Sequence, residues 1–260
     1  MSNICWLDAK NTTAYKQDYE VIKNLSLKLF DNERIIILGP NGSGKSSIVD
    51  LINRNIYPLV KRDSYFKIFN EELIDLWKIR KYISTVNNEI KFRISKHLLV
   101  KDILLSGLYG RFCKINNPKK EDLIKVKELI EKMFLNDIAD KKFGYLSDGE
   151  KQISIIARAI INNPKVLILD EPSVNIDLKS RIFLIEKIKD LSQLGISILC
   201  ITHDISIITK DYTRIIFLKN GEIIRDGKPS ELMKSEHINQ LFDINIKLIE
   251  NSNSWDVYRG

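Results

Sequence analysis

Three short stretches carry residue types whose spacing suits chemistry on a phosphate. GPNGSGKS at 39–46 fits G-x-x-x-x-G-K-[ST], directly after the apolar run IIIL (35–38) and before a segment with helical character. Gly39, Gly42 and Gly44 let the backbone bend with its N–H groups pointing inward as an anion nest, and the following helix N-terminus adds partial positive charge. Lys45 has the length to reach β and γ phosphates, and the Ser46 hydroxyl suits Mg2+. VLILDEP (166–172) delivers two carboxylates at the end of an apolar strand: Asp170, suited to Mg2+ through its water shell, and Glu171, placed to polarise a water. ITHD (201–204) ends another apolar run in His203, whose charge is easily tuned near neutral pH and whose ring can bond a γ-phosphate or the attacking water. Taken singly, each has a plainer reading: a glycine-rich turn, a pair of turn-capping carboxylates, a structural histidine. His97 and His237 lack such a setting and are expected at the surface.

The elements that must position these groups are legible as runs. IIIL (35–38), VLILD (166–170) and SILCIT (197–202) are short β-branched stretches, each followed by turn or polar residues. Helices are expected over 45–53 and over 178–194, the latter with Ile182, Ile185, Ile188 and Leu191 along one side. Strand alternating with helix predicts βαβ units and a mostly parallel sheet. RIIFLKNGEIIRDG (214–227) centres two apolar runs on Asn220-Gly221, a strong hairpin signal. The stretch 92–161 reads differently, as an all-helical insertion, with Leu123, Val126, Ile130 and Phe134 as a packing stripe.

At 260 residues the chain is long enough for one large α/β domain or two small ones. Its 44% apolar and 29% charged residues are ordinary for a globular protein and argue against disorder. Neither a secretory leader in the first ten residues nor an apolar run long enough to span a bilayer is evident, so a cytoplasmic setting is expected. Cys5, Cys113 and Cys200 are odd in number and far apart, which argues against a disulfide framework and a zinc knuckle. A net charge of +7 favours anionic partners, although most of the lysines read as solvated helix faces.

One stretch resists such reading. LSDGEKQ (146–152) is either a surface turn or part of a phosphate site, and Asp148 is a poor neighbour for a terminal phosphate. In this order the pieces resemble the ATP-binding subunit of an ABC transporter, over about residues 4 to 235. The resemblance implies a RecA-like P-loop NTPase core with a mostly parallel sheet, an antiparallel β subdomain and an inserted helical subdomain (about 92–161). The whole would be a single ATPase domain over 1–235 with a C-terminal extension over 236–260. Carried across, Gly39, Pro40, Asn41, Gly42, Ser43, Gly44, Lys45, Ser46 and Ser47 correspond to Walker A, Asp170 to Walker B and Glu171 to the catalytic carboxylate. His203 would be the switch histidine, and SVNID the D-loop with Asp177 at its acidic position. LSDGE matches the signature LSGGQ, so Ser147, Asp148, Gly149 and Glu150 would face a partner's ATP, with the contacts on Ser147 and the Gly149 N–H. Tyr15 best matches the aromatic that stacks on adenine, with Tyr19 as a substitute.

Where the family carries its Q-loop glutamine this chain has VNNEI, leaving Asn87 or Asn88, with Asn88 the better placed to share in the nucleotide or Mg2+ site. The resemblance further implies ATP and Mg2+, a head-to-tail homodimer, transmembrane permease subunits and an extracytoplasmic solute-binding protein, with the chain peripheral on the cytoplasmic membrane face and no direct nucleic-acid contact. In texture it is nearest to importers of iron chelates, cobalamin or molybdate. Asn88 to Lys101 falls where the family meets its membrane partner, with Phe92 and Leu98 as candidate anchors. Two rivals stand beside this: a soluble ABC ATPase acting in iron–sulfur assembly or on nucleic acid and ribosomes, and a module that closes on ATP without hydrolysing it.

Overall fold

Unbroken β-branched runs become strands here because both of their faces are covered, and the amphipathic stretches between them become helices. The computed structural model describes residues 4–260; Met1–Asn3, with which the expected 1–235 domain opens, lie outside the described residues. In chain order the elements are β1 (Cys5–Lys16), β2 (Tyr19–Phe30), β3 (Arg34–Leu38), α1 (Lys45–Ile52), β4 (Tyr65–Ile68), α2 (Leu76–Tyr82), β5 (Ile83–Val86), α3 (Ile90–Arg93), α4 (Val100–Leu108) and α5 (Lys120–Lys132). There follow α6 (Asp148–Ile160), β6 (Val166–Asp170), α7 (Leu178–Gln193), β7 (Ser197–Thr202), β8 (Arg214–Lys219), β9 (Glu222–Gly227), α8 (Pro229–Leu232), α9 (Ser235–Phe242), β10 (Ile246–Glu250) and β11 (Trp255–Arg259). They group into two compact units, one of residues up to Arg80 with Ser197–Gly260, the other Lys81–Ile196.

In the first unit β3 lies between β7 and β8, parallel to both, and β9 extends the sheet antiparallel to β8. Ile35, Ile36, Ile37 and Leu38 are all buried. Fully burying such side chains is worth about 1.5–3 kcal/mol each, which fixes this strand firmly under the loop that follows it. The β8–β9 turn has Asn220 at φ 52° and Gly221 at φ 82°, the paired left-handed conformation expected of Asn-Gly. β2, β1 and β4 form a separate antiparallel sheet. Arg214 ties β8 to β9 and to β2 of the other sheet, donating through Nε and Nη2 to Asp226 at 2.6 Å each and through Nη1 to the Lys28 carbonyl at 2.7 Å. β10 and β11 close the unit as a hairpin whose only marker in the sequence is the turn cluster NSNS at 251–254.

The second unit pairs β5 parallel to β6, and between 92 and 161 it contains helices and no strand among the described residues. Two expected stripes need correction. On α7 the buried apolar residues are Leu184, Ile188 and Leu191, while Ile182 is exposed and Ile185 only half-buried. A series at strict three-residue spacing drifts about 60° per step around a helix, whereas i, i+4, i+7 stays on one face. On α5 only Val126 and Ile130 are buried; Leu123 is exposed in the first turn, and Phe134 lies beyond the helix end, its ring 4.3 Å from Lys187 Nζ. Of the two histidines expected at the surface, His97 is exposed, whereas His237 is half-buried with Nδ1 3.1 Å from the Leu232 carbonyl.

Candidate functional site

In the first unit the sheet register sets the starting geometry. Leu38 is paired with Thr202, so Gly39 and His203 leave adjacent strand ends side by side, and the Gly39 N–H donates to the Thr202 carbonyl at 3.3 Å. His203 is exposed there, one residue beyond a strand buried along its whole length. From Gly39 the chain turns into α1 through Gly44, at φ 99°, where a Cβ would come within 2.6 Å of the Val21 carbonyl. Only glycine meets both demands. α1 opens without a side-chain cap or an acidic residue in its first turn, so the orphan N–H groups of its N-terminus are not answered by its own sequence.

The cradle fits a polyphosphate on its own features. Lys45 is 5% exposed, its ammonium donating to the carbonyls of Gly39 at 2.8 Å and Pro40 at 2.9 Å. Ser43 Oγ is buried with no hydrogen-bond partner, an orphan donor of the kind that a phosphate oxygen satisfies. Ser46 is exposed on the first turn of α1 and Ser47 is buried beside it; Pro40 and Asn41 complete the loop. Tyr15 and Tyr19 flank the tip of the β1–β2 hairpin at 45% and 74% exposure, with ring surface open to solvent. Lys16, next to Tyr15, reaches Asp50 of α1 at 3.0 Å and ties that tip to the helix of the cradle.

The second unit holds the remaining candidates. Asp170 ends β6 half-buried, after four fully buried apolar residues. Glu171 follows at φ 52°, a left-handed conformation unusual for a side-chain-bearing residue and doubly so before Pro172. Of the two asparagines, Asn87 is occupied locally, its side-chain oxygen accepting from the Ile90 N–H at 3.3 Å. Asn88 lines a cleft of about 970 Å³ together with Lys91, Phe92, Asp148, Lys151 and Asn175. Phe92 is 90% exposed at this cleft, but Ile94 and Leu98 are buried, so Leu98 is core and not a surface anchor.

LSDGE forms a capping box, a pattern the sequence carries as Ser-x-x-Glu alongside its match to a phosphate-facing motif. Ser147 Oγ accepts from the Glu150 N–H at 3.2 Å, and the Glu150 carboxylate accepts from the Ser147 N–H at 2.7 Å. Glu150 thus serves its own helix and lies 3.8 Å from Lys141. Asp148 is turned out to solvent, 3.3 Å from Lys151. Its charge also supports Lys91, although burial is the stronger influence there and lowers that ammonium's pKa. A side chain on Gly149 would overlap Ser180 of α7. Ser180 in turn donates through its backbone N–H, at 3.0 Å, and its hydroxyl, at 2.7 Å, to Asp177, the cap of α7. One serine therefore links the start of α6 to the turn ending at Asp177, a role no sequence motif announces.

The family model described as ABC transporter matches residues 22–174. The phosphonates import ATP-binding protein PhnC 2 of Oceanobacillus iheyensis is 30% identical, over 88% of this chain and 91% of its own. The petrobactin import ATP-binding protein YclP of Bacillus subtilis is 28% identical, over 93% and 94% respectively. Among solved structures, a dimeric ATP-binding cassette in a post-hydrolysis state with ADP and Pi bound aligns at TM-score 0.69 and 27% identity, over 85% of this chain and 98% of that one.

Proposed function

The chain belongs to the ABC transporter family, whose ATP-binding cassettes are ATPases, and from this premise we propose how its residues divide the work. Gly39 to Ser47 cradle the triphosphate, with Lys45 on the β and γ phosphates and Ser43 supplying its orphan hydroxyl. Tyr15 stacks on the adenine. Glu171 orients and polarises the attacking water, whose oxygen bonds to the γ-phosphorus as the bond to the β–γ bridging oxygen breaks; His203 bonds the γ-phosphate. Most of the acceleration then comes from positioning and charge stabilisation. What carries this reading is the turn from Gly39 to Lys45: an uncapped helix N-terminus, a buried ammonium and an orphan hydroxyl in one loop.

The donor set fits Mg2+. Among the described residues no group of three His, Cys, Asp or Glu side chains could hold a metal alone, so Ser46, Asp170 and Asn88 would share the ion with phosphate oxygens, as this hard, oxygen-seeking ion prefers. Bound there, it would neutralise charge developing on the phosphates.

Two copies pair head-to-tail, each presenting Ser147 and the Gly149 N–H to the other's γ-phosphate, with the α6 N-terminus aimed at it. The pair drives a membrane permease by closing on ATP, and a solute-binding protein delivers a small solute, a metal chelate or an oxyanion. Relatives named for petrobactin and for phosphonate import support the direction of transport, and others named for glutamate and for general L-amino acid transport leave the solute class wider still. Binding of ATP by the Lys45→Ala variant, followed by calorimetry, tests the cradle. Loss of a charge-assisted contact predicts affinity weaker by roughly 10- to 100-fold, and unchanged affinity would remove Lys45 from the site.

A further inference from the structure

The C-terminal hairpin has no part in the chemistry above, yet it is fastened to the segment that follows His203. Thr209 and Ser254 form an antiparallel bridge, and the Lys210 N–H donates to the Asn253 carbonyl at 2.9 Å. Lys210 Nζ lies 2.6 Å from Glu250 and 6.0 Å from the centre of the Trp255 ring. Trp255 is 4% exposed, the one large side chain of β11 that is buried. At its other end the hairpin is fixed to α9: Asn239 accepts from the Ile246 N–H at 2.9 Å and donates to its carbonyl at 3.1 Å, and Ser235 accepts from the Leu248 N–H at 2.9 Å.

Between Thr202 and Lys210 the chain has little slack. The Asp204 N–H donates to Thr202 Oγ1 at 2.9 Å, the Asp204 carboxylate accepts from the Ser206 N–H at 2.9 Å, and Ile207 to Thr209 are buried. His203 is therefore held upstream by the sheet beside Gly39 and downstream by the hairpin. We propose that Trp255 is a positioning residue for ATP hydrolysis: it seats the hairpin against Thr209 and Lys210, and so holds His203 at the strand end next to the phosphate cradle. This rests on His203 acting at the γ-phosphate. A side chain that sets another's placement by a fraction of an ångström affects the transition state more than the ground state, so the signature lies in kcat and not in KM.

The test is steady-state MgATP hydrolysis by the full chain with Trp255→Ala, Trp255→Phe and Lys210→Met, each alone and combined with His203→Ala. The expected result for Trp255→Ala is a kcat lower by about tenfold with KM within about twofold. Trp255→Phe, which keeps a ring in the slot, should restore most of the loss, and neither change should lower kcat further once His203 is alanine. Additive losses in the His203→Ala background, or an unchanged kcat, would overturn the proposal. Should Trp255→Ala fail to fold by circular dichroism, Lys210→Met decides by the same comparison, with an expected loss of roughly threefold. If His203→Ala alone keeps wild-type kcat, the role of His203 falls first and this inference falls with it.

Discussion

At the scale of single residues, Glu171 stands out by conformation as well as by chemistry. A glutamate at φ 52° directly before a proline holds a backbone geometry costing on the order of 1–3 kcal/mol, which only the surrounding structure can sustain. If that strain serves to aim the carboxylate, relieving it should stabilise the fold while destroying turnover. Glu171→Gly is therefore expected to raise the melting temperature by about 2–4 °C, measured by calorimetry, with no detectable hydrolysis. A lower melting temperature would mean that the conformation is not strained. The chemistry-bearing residues were legible because their spacing is dictated by phosphate: Gly44 must be glycine for two separate reasons, and Lys45 must follow it. Spacing alone favoured Asn88 over Asn87; what the sequence does not show is that the Asn87 amide is already engaged with Ile90.

At the scale of elements, the helices that open at Ser147 and Asp177 are joined through Ser180. The Asp177 carboxyl titrates below its ordinary range, chiefly because the Ser180 hydroxyl, and then its backbone N–H, donate to the ionised form. A carboxyl with a depressed folded pKa contributes stability that is present above its unfolded value, near 3.9, and lost as pH falls through the folded one. The melting-temperature gap between the native chain and Asp177→Asn should thus stay constant from pH 8 to about 5 and close below about 4. A gap independent of pH down to 3 would show that the cap does not depend on charge. Strands were readable from sequence because burial of both faces makes them continuous apolar runs. The helix faces on α5 and α7 were not, because many apolar residues, such as Ile182 and Leu123, lie off the buried side. The capping box was present as Ser147 and Glu150 but masked by a stronger expectation about phosphate, and the C-terminal hairpin lacks the Asn-Gly turn that announced β8–β9.

At the scale of the whole molecule, function is proposed to need a second copy and a membrane partner; no helix among the described residues is itself long and apolar enough to cross a membrane. Phe92, 90% exposed beside a cleft carrying Lys91, Lys96 and Lys151, is the proposed permease anchor. Phe92→Asp should abolish co-purification with the permease while leaving ATP binding intact. Retained co-purification would move the contact elsewhere, and Ile94 is unsuited to the same test because it is buried. The proposed function needs a head-to-tail pair that closes on ATP and opens after Glu171 has helped to cleave it. Size-exclusion chromatography of Glu171→Gln with MgATP, alongside phosphate release, measures both halves at once. The expected result is a stable ATP-loaded dimer with turnover reduced by about 100-fold or more, and a monomer that hydrolyses ATP at the native rate would contradict it.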